Sequence, residues 1–153
     1  MAPCCVGDAG RICAAMTIRI RAATEDDKPF LQWLEEACMR AYAVALWGVW
    51  CPRADEDFTI DGLRIIADEC SDVGCVAVII HSNHIWLDKL YLAPSHQGRG
   101  IGAAMLKIVI AEAAASNRPV RLSVLTTNPA IALYIRHGFR IYAETPERNF
   151  LST

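Results

Sequence analysis

Ile18 and Ile20 alternate with Arg19 and Arg21 in TIRIRAA (17–23), and that twofold period predicts a half-buried strand. Thr24 and Asp27 follow as a T-x-x-D helix start, with Pro29 delaying the regular turns. Phe30, Leu31, Leu34, Cys38 and Met39 supply the apolar face of that helix. A second helix is expected over about 41–48, carrying Tyr42, Val44, Leu46 and Trp47, before the polar connection CPRADED at 51–57. LRIIA (63–67), VGCVAVII (73–80) and HIWLDKLYLA (84–93) are three apolar runs joined by DECSD and HSN. Those links are too short for a crossover, so the three strands form an antiparallel meander, which Pro94 ends.

The pattern then becomes helical. Residues 100–115 set Met105, Leu106, Ile108, Val109 and Ile110 among alanines, leaving few polar positions. Such a helix should be covered on more than one side. Asn117, Arg118 and Pro119 break it, and VRLSVLT (120–126) reads as a buried strand. Asn128 caps a further helix with Pro129 at its first position, and Gly138 closes it. FRIYAET (139–145) and RNFLS (148–152) are a final strand pair. The order β-α-α-β-β-β-α-β-α-β-β predicts an α/β layer structure with a mixed sheet.

These elements make one domain from residue 16 to 153, long enough to bury a real core. Residues 1–15 fall outside the pattern and are expected to be a tail. Hydrophobic residues at 54% and charged residues at 21% mark a globular chain. The formal net charge of −2, with no strongly basic half, argues against a nucleic-acid partner. No apolar run approaches the roughly 18 residues of a membrane span. The seven cysteines are odd in number and contain no CxxC, and the first fifteen residues carry no secretion signal. That fits a cytoplasmic chain with reduced thiols better than a disulfide framework. Cys4, Cys5 and Cys13 cluster near the start with no histidine beside them, so no metal site is expected.

The candidate chemistry centres on SHQGRGIGAAML (95–106), where Gly98, Gly100 and Gly102 alternate around Arg99 before a helix. The P-loop pattern is absent, because Lys107 is not preceded by glycine. The dinucleotide fingerprint is formally met by Gly98, Gly100 and Ala103. It lacks both the βαβ setting and the acidic residue about twenty positions on. The remaining reading is Q-x-x-G-x-G, from Gln97, Gly100 and Gly102, between a strand and a helix. The first N–H groups of a helix have no internal partners and attract an anion. Side chains at 100 and 102 would keep a pyrophosphate away from them. A plain surface turn is the competing reading of the glycines alone.

LYLAPSHQGRGIGAAML and NPAIALYIRHGF (128–139) together resemble the two signatures of the GNAT superfamily of acyl-CoA-dependent N-acetyltransferases. The likeness spans about residues 17–151. It implies a mixed, mostly antiparallel sheet with a splayed central strand pair and helices on both faces. It implies that the strand of Leu90 and Leu92 parts from VRLSVLT, and that their backbone groups pair with the pantetheine arm. It implies a pyrophosphate cradle of amides from Gln97, Gly98, Arg99, Gly100, Ile101, Gly102 and Ala103. Arg99 and Arg136 would meet phosphate charge, Asn128 would bond along the arm, and Tyr134 would stand near the thioester sulfur.

The implied activity is transfer of an acetyl group from acetyl-CoA to a primary amine, small or peptidic, by direct attack through a tetrahedral intermediate. A backbone N–H on the splayed strand would stabilise the oxyanion. A phenol is a feasible proton donor to the leaving thiolate, so Tyr134 is the candidate general acid. An amine of pKa about 10.4 must also lose its proton before it attacks. Asp88 is the candidate base, ahead of Glu35 and Glu36, while His96 suits the phosphate side. Tyr42, Trp47 and Trp50 lie on the segment that would wall the acceptor site. The alternative is a non-catalytic acyl-CoA-binding or sensing module of the same fold. Self-association, as a homodimer, is a further expectation, because the final strands and the apolar helix offer surface to cover.

Overall fold

The computed structural model describes residues 17–153. The expectations for the tail and its cysteines lie outside the described residues. The strands are β1 (Arg19–Ala22), β2 (Leu63–Ala67), β3 (Asp72–Ile80), β4 (Ile85–Leu92), β5 (Val120–Leu125), β6 (Arg140–Glu144) and β7 (Arg148–Ser152). The helices are α1 (Lys28–Trp47), α2 (Ile101–Ala115) and α3 (Ile131–Arg136). The strands form one sheet in the order β1-β2-β3-β4-β5-β7-β6. Every neighbouring pair is antiparallel except β4 and β5. Leu31 and Leu34 of α1 pack on one face of the sheet, with Leu63, Ile65 and Cys75. Ile101, Met105, Leu106 and Val109 of α2 pack on the other, joined by Leu133 and Tyr134 of α3. The expected mixed, mostly antiparallel sheet with helices on both faces is therefore present. Among the described residues no helix is long and apolar enough to cross a membrane.

Three helical expectations are corrected. The two helices expected before residue 48 are one, α1. Nothing between Met39 and Ala41 breaks the chain, and Arg40 reaches back to Glu36 at 2.8 Å, an i,i+4 pair across the supposed gap. The Thr24–Asp27 start holds: the Asp27 carboxylate accepts the Thr24 N–H at 2.8 Å, and a short 3₁₀ turn leads into α1. Gly48, at φ +76°, ends the helix. The apolar helix α2 is covered on one face only. Its outer face shows Lys107, Ile108, Glu112 and small alanines to solvent; alanine reads as apolar but offers little area to bury. The third correction concerns α3, which starts at Ile131 rather than at Pro129. Asn128 is therefore not its cap: Ala130 holds the N-cap position, and Asn128 Oδ1 instead accepts the Ala130 N–H at 2.9 Å in the turn before the helix.

One irregularity lies next to the place where the sheet opens. Ala77 pairs with Lys89 and Val78 with Leu87, so Asp88 is an extra residue in β4. The extra residue shifts which side chains face which layer. Leu87 points to the α2 side before the bulge, and Leu90 and Leu92 do so after it. Tyr91 is turned to the α1 side. On its other flank β4 touches β5 in register at Ile85–Val120 and Trp86–Arg121 alone. Past Trp86 the two strands diverge.

Candidate active site

A cleft of about 710 Å³ occupies the gap between β4 and β5. Its lining comes from both layers, one set of residues at its α2-side mouth and another at its α1-side mouth. At one stand Gln97, Gly100, Gly102, Asn128, Tyr134 and Arg136; at the other Cys38, Tyr42, Arg53, Lys89, Ser123 and Arg148.

The backbone of β4 faces this gap. Ala93 N–H donates to Val73 O at 2.8 Å. Groups of Leu92, and by alternation those of Leu90, therefore point away from β3. Leu92 O accepts from Gln97 Nε2 at 3.0 Å and from Cys38 Sγ at 3.1 Å. Gln97 thus ties the glycine loop to the end of the strand. Gly74 on β3 lets the two strands approach, since a Cβ there would collide with Tyr91 O and the Leu92 side chain.

The loop owes its course to two left-handed glycines, Gly98 at φ +72° and Gly100 at φ +84°. Neither is forced by crowding, since a Cβ at either would meet no atom within 4 Å. Their requirement is conformational. Gly102 differs: its φ is not left-handed, and a Cβ there would make ordinary contacts. A Cβ there would stand 3.6 Å from Leu92 and 3.7 Å from Leu133, on the cleft wall. The first intrahelical bond of α2 runs from Ala104 N–H to Gly100 O at 3.0 Å. The N–H groups of Ile101, Gly102 and Ala103 therefore lie free of the helix ladder.

The Ile101 side chain is wholly buried in the core, so only its backbone is available to a ligand. Arg99 is exposed and is not part of the cleft wall, whereas Arg136 is. His96 is held 3.3 Å from Asp68 and does not line the cleft. The Tyr134 ring meets Phe139 edge-on at 5.7 Å between centroids. Burial pushes its phenol up to about 12.

At the other mouth the bulged Asp88 is exposed, with its carboxylate 3.4 Å from Lys89 Nζ. Lys89 is only 11% exposed and also lies 3.6 Å from Glu35. Glu35 holds Arg53 as well, at 3.4 Å. Glu35 is thus committed to two cations, and Glu36 is paired on the outer surface of α1. Of the three aromatics expected here, Tyr42 lines the cleft and Trp47 and Trp50 do not. Cys38, held at Leu92 O, has its thiol pushed up to about 11 by burial. Sequence reasoning passed over Cys38, Arg53, Lys89, Ser123 and Arg148. For Lys89 a signal existed: the apolar alternation slips from Leu87 to Leu90, which marks a bulge.

Residues 61–141 match the family model described as "Acetyltransferase (GNAT) domain". The L-methionine sulfoximine/L-methionine sulfone acetyltransferase of Salmonella typhimurium is 25% identical over 126 residues. That match takes in 81% of this chain and 66% of the relative's length. An acetyltransferase from Thermus thermophilus superimposes with a TM-score of 0.73 at 21% identity, covering 90% of this chain and 97% of that one. The PaiA N-acetyltransferase of Thermoplasma acidophilum, solved with coenzyme A, gives 0.70 at 16% identity over 90% and 99%.

Proposed function

The chain belongs to the GNAT acetyltransferase family, and from that premise we propose that it moves an acetyl group from acetyl-CoA to a primary amine. The observation that carries this reading is the two-mouthed cleft, with helix N–H groups at one mouth and ionisable groups at the other. A pyrophosphate fits the first mouth. The N–H groups of Ile101, Gly102 and Ala103 and the Arg136 guanidinium would hold it. Gly102 leaves the room for it. Leu90 and Leu92 would pair with the pantetheine arm as an added strand does, and Asn128 would bond along it.

Acetyl-CoA, as co-substrate, supplies a thioester carbonyl open to direct attack. A β4 N–H facing the gap would stabilise the tetrahedral oxyanion. Tyr134 stays protonated throughout the neutral range, as a donor must. Its rise to about 12 makes full proton transfer harder by roughly 3 kcal/mol than for an ordinary phenol. Its first role is therefore a hydrogen bond to the leaving sulfur. Asp88, beside the second mouth, would take the amine proton directly or through water. Thiol release measured over a panel of amines tests the proposal. Release that depends on both acetyl-CoA and an amine supports it. Tight CoA binding with no release for any amine would leave a binding module instead.

A further inference from the structure

The second mouth holds a cation that no carboxylate among the described residues neutralises. Leu122 and Val124 pack toward α2, so Ser123 between them faces the α1 side. Arg148 pairs with Leu125 across the β5–β7 ladder and shares that side. Its Nη1 donates to Ser123 Oγ at 3.2 Å, which fixes the half-buried guanidinium on the cleft wall. Among the described residues no carboxylate stands within ion-pair distance of it. The other two cations of this mouth are matched, Arg53 by Glu35 and Lys89 by Glu35 and Asp88. Three cations thus meet two carboxylates, and Arg148 is the unmatched one.

A partly desolvated guanidinium is best satisfied by a planar anion that accepts two parallel hydrogen bonds. The glycine loop and Arg136 line the opposite mouth, so the phosphates assigned to them do not answer this charge. From this arrangement we infer that the acceptor is a free α-amino acid, or a small zwitterion like it. Its carboxylate binds Arg148 while its amine lies toward Asp88. A peptide α-amine carries an amide in place of the carboxylate and leaves Arg148 unmatched. This inference rests on the acetyl-transfer reading above.

The test compares free L-amino acids with their own amides as acceptors, by initial rates of thiol release. Wild type, Arg148→Gln and Arg148→Lys are assayed together. For its best amino acid, wild type is expected to favour the acid over the amide about 100-fold in kcat/KM. Arg148→Gln should bring the two within about threefold, and Arg148→Lys should keep part of the preference. The Kd of free CoA, measured by calorimetry, should move less than about threefold in either variant. Equal use of acids and amides by wild type overturns the inference and leaves acetyl transfer standing. A preference that survives Arg148→Gln does the same. If no amine of either kind releases thiol, acetyl transfer fails and this inference falls with it.

Discussion

Tyr134 and Asp88 differ in setting, and that difference separates their expected phenotypes. Tyr134 lines the cleft among apolar groups, and the burial of its phenol holds its proton until about pH 12. The wild-type kcat should therefore show no falling limb from this group up to pH 10. Tyr134→Phe should lower kcat by about 100-fold with little change in the KM for acetyl-CoA. Asp88 is open to solvent, and its proposed task is to relieve the amine of a proton. Asp88→Asn should cost most at pH 7 and progressively less toward pH 9, as the amine deprotonates unaided. A defect independent of pH would remove Asp88 as the base. Asp27 makes a third case, of stability rather than catalysis. Arg21 donates to both of its oxygens, at 2.8 and 2.9 Å, and holds the carboxyl far below its usual range. A depressed folded pKa gives stability above the ordinary carboxylate pKa that is lost as pH falls below it. Asp27→Asn should lower the melting temperature at pH 7 and flatten its decline below about pH 4, as read by thermal denaturation.

At the scale of elements, β4 is decisive. Its pairing with β5 stops after Trp86, and its bulge at Asp88 in the ladder with β3 then puts Leu90 on the α2 side and Tyr91 on the α1 side. Gly74 supports the same feature from the neighbouring strand. Gly74→Ala should destabilise the fold by about 1–3 kcal/mol in urea unfolding, because its Cβ meets the Tyr91 backbone carbonyl as well as the Leu92 side chain. The strands, the glycine loop and the start of α1 were all legible in the sequence, because each is dictated locally by period, cap or turn residue. The join of α1 across Arg40 was not, since the expectation leaned on apolar spacing where no breaker stood. The one-sided cover of α2 escaped for a related reason: alanine counts as apolar in a pattern whichever way it faces. In the site, Gly100 and Tyr134, singled out from the two motifs, both line the cleft. Arg148 and Ser123 meet across two strands separated by more than twenty residues, and only the β5–β7 register brings them together.

The whole molecule is a sheet with two separate cores, one under α1 and one under α2. The cleft lies where the sheet parts between them, lined from both layers. That geometry suits a reaction with two substrates, because each can enter by its own mouth and meet the other in the gap. The claim depends first on the glycine-loop mouth holding CoA. Calorimetric titration of acetyl-CoA into wild type and Gly102→Val tests it most directly. A side chain at Gly102 stands at ordinary contact distance from Leu92 and Leu133, so the variant should fold while its cleft is obstructed. The account predicts saturable binding to wild type and at least a tenfold weaker Kd in the variant, with melting temperatures within a few degrees of each other. Absence of binding to wild type, or equal binding by a folded variant, would contradict it.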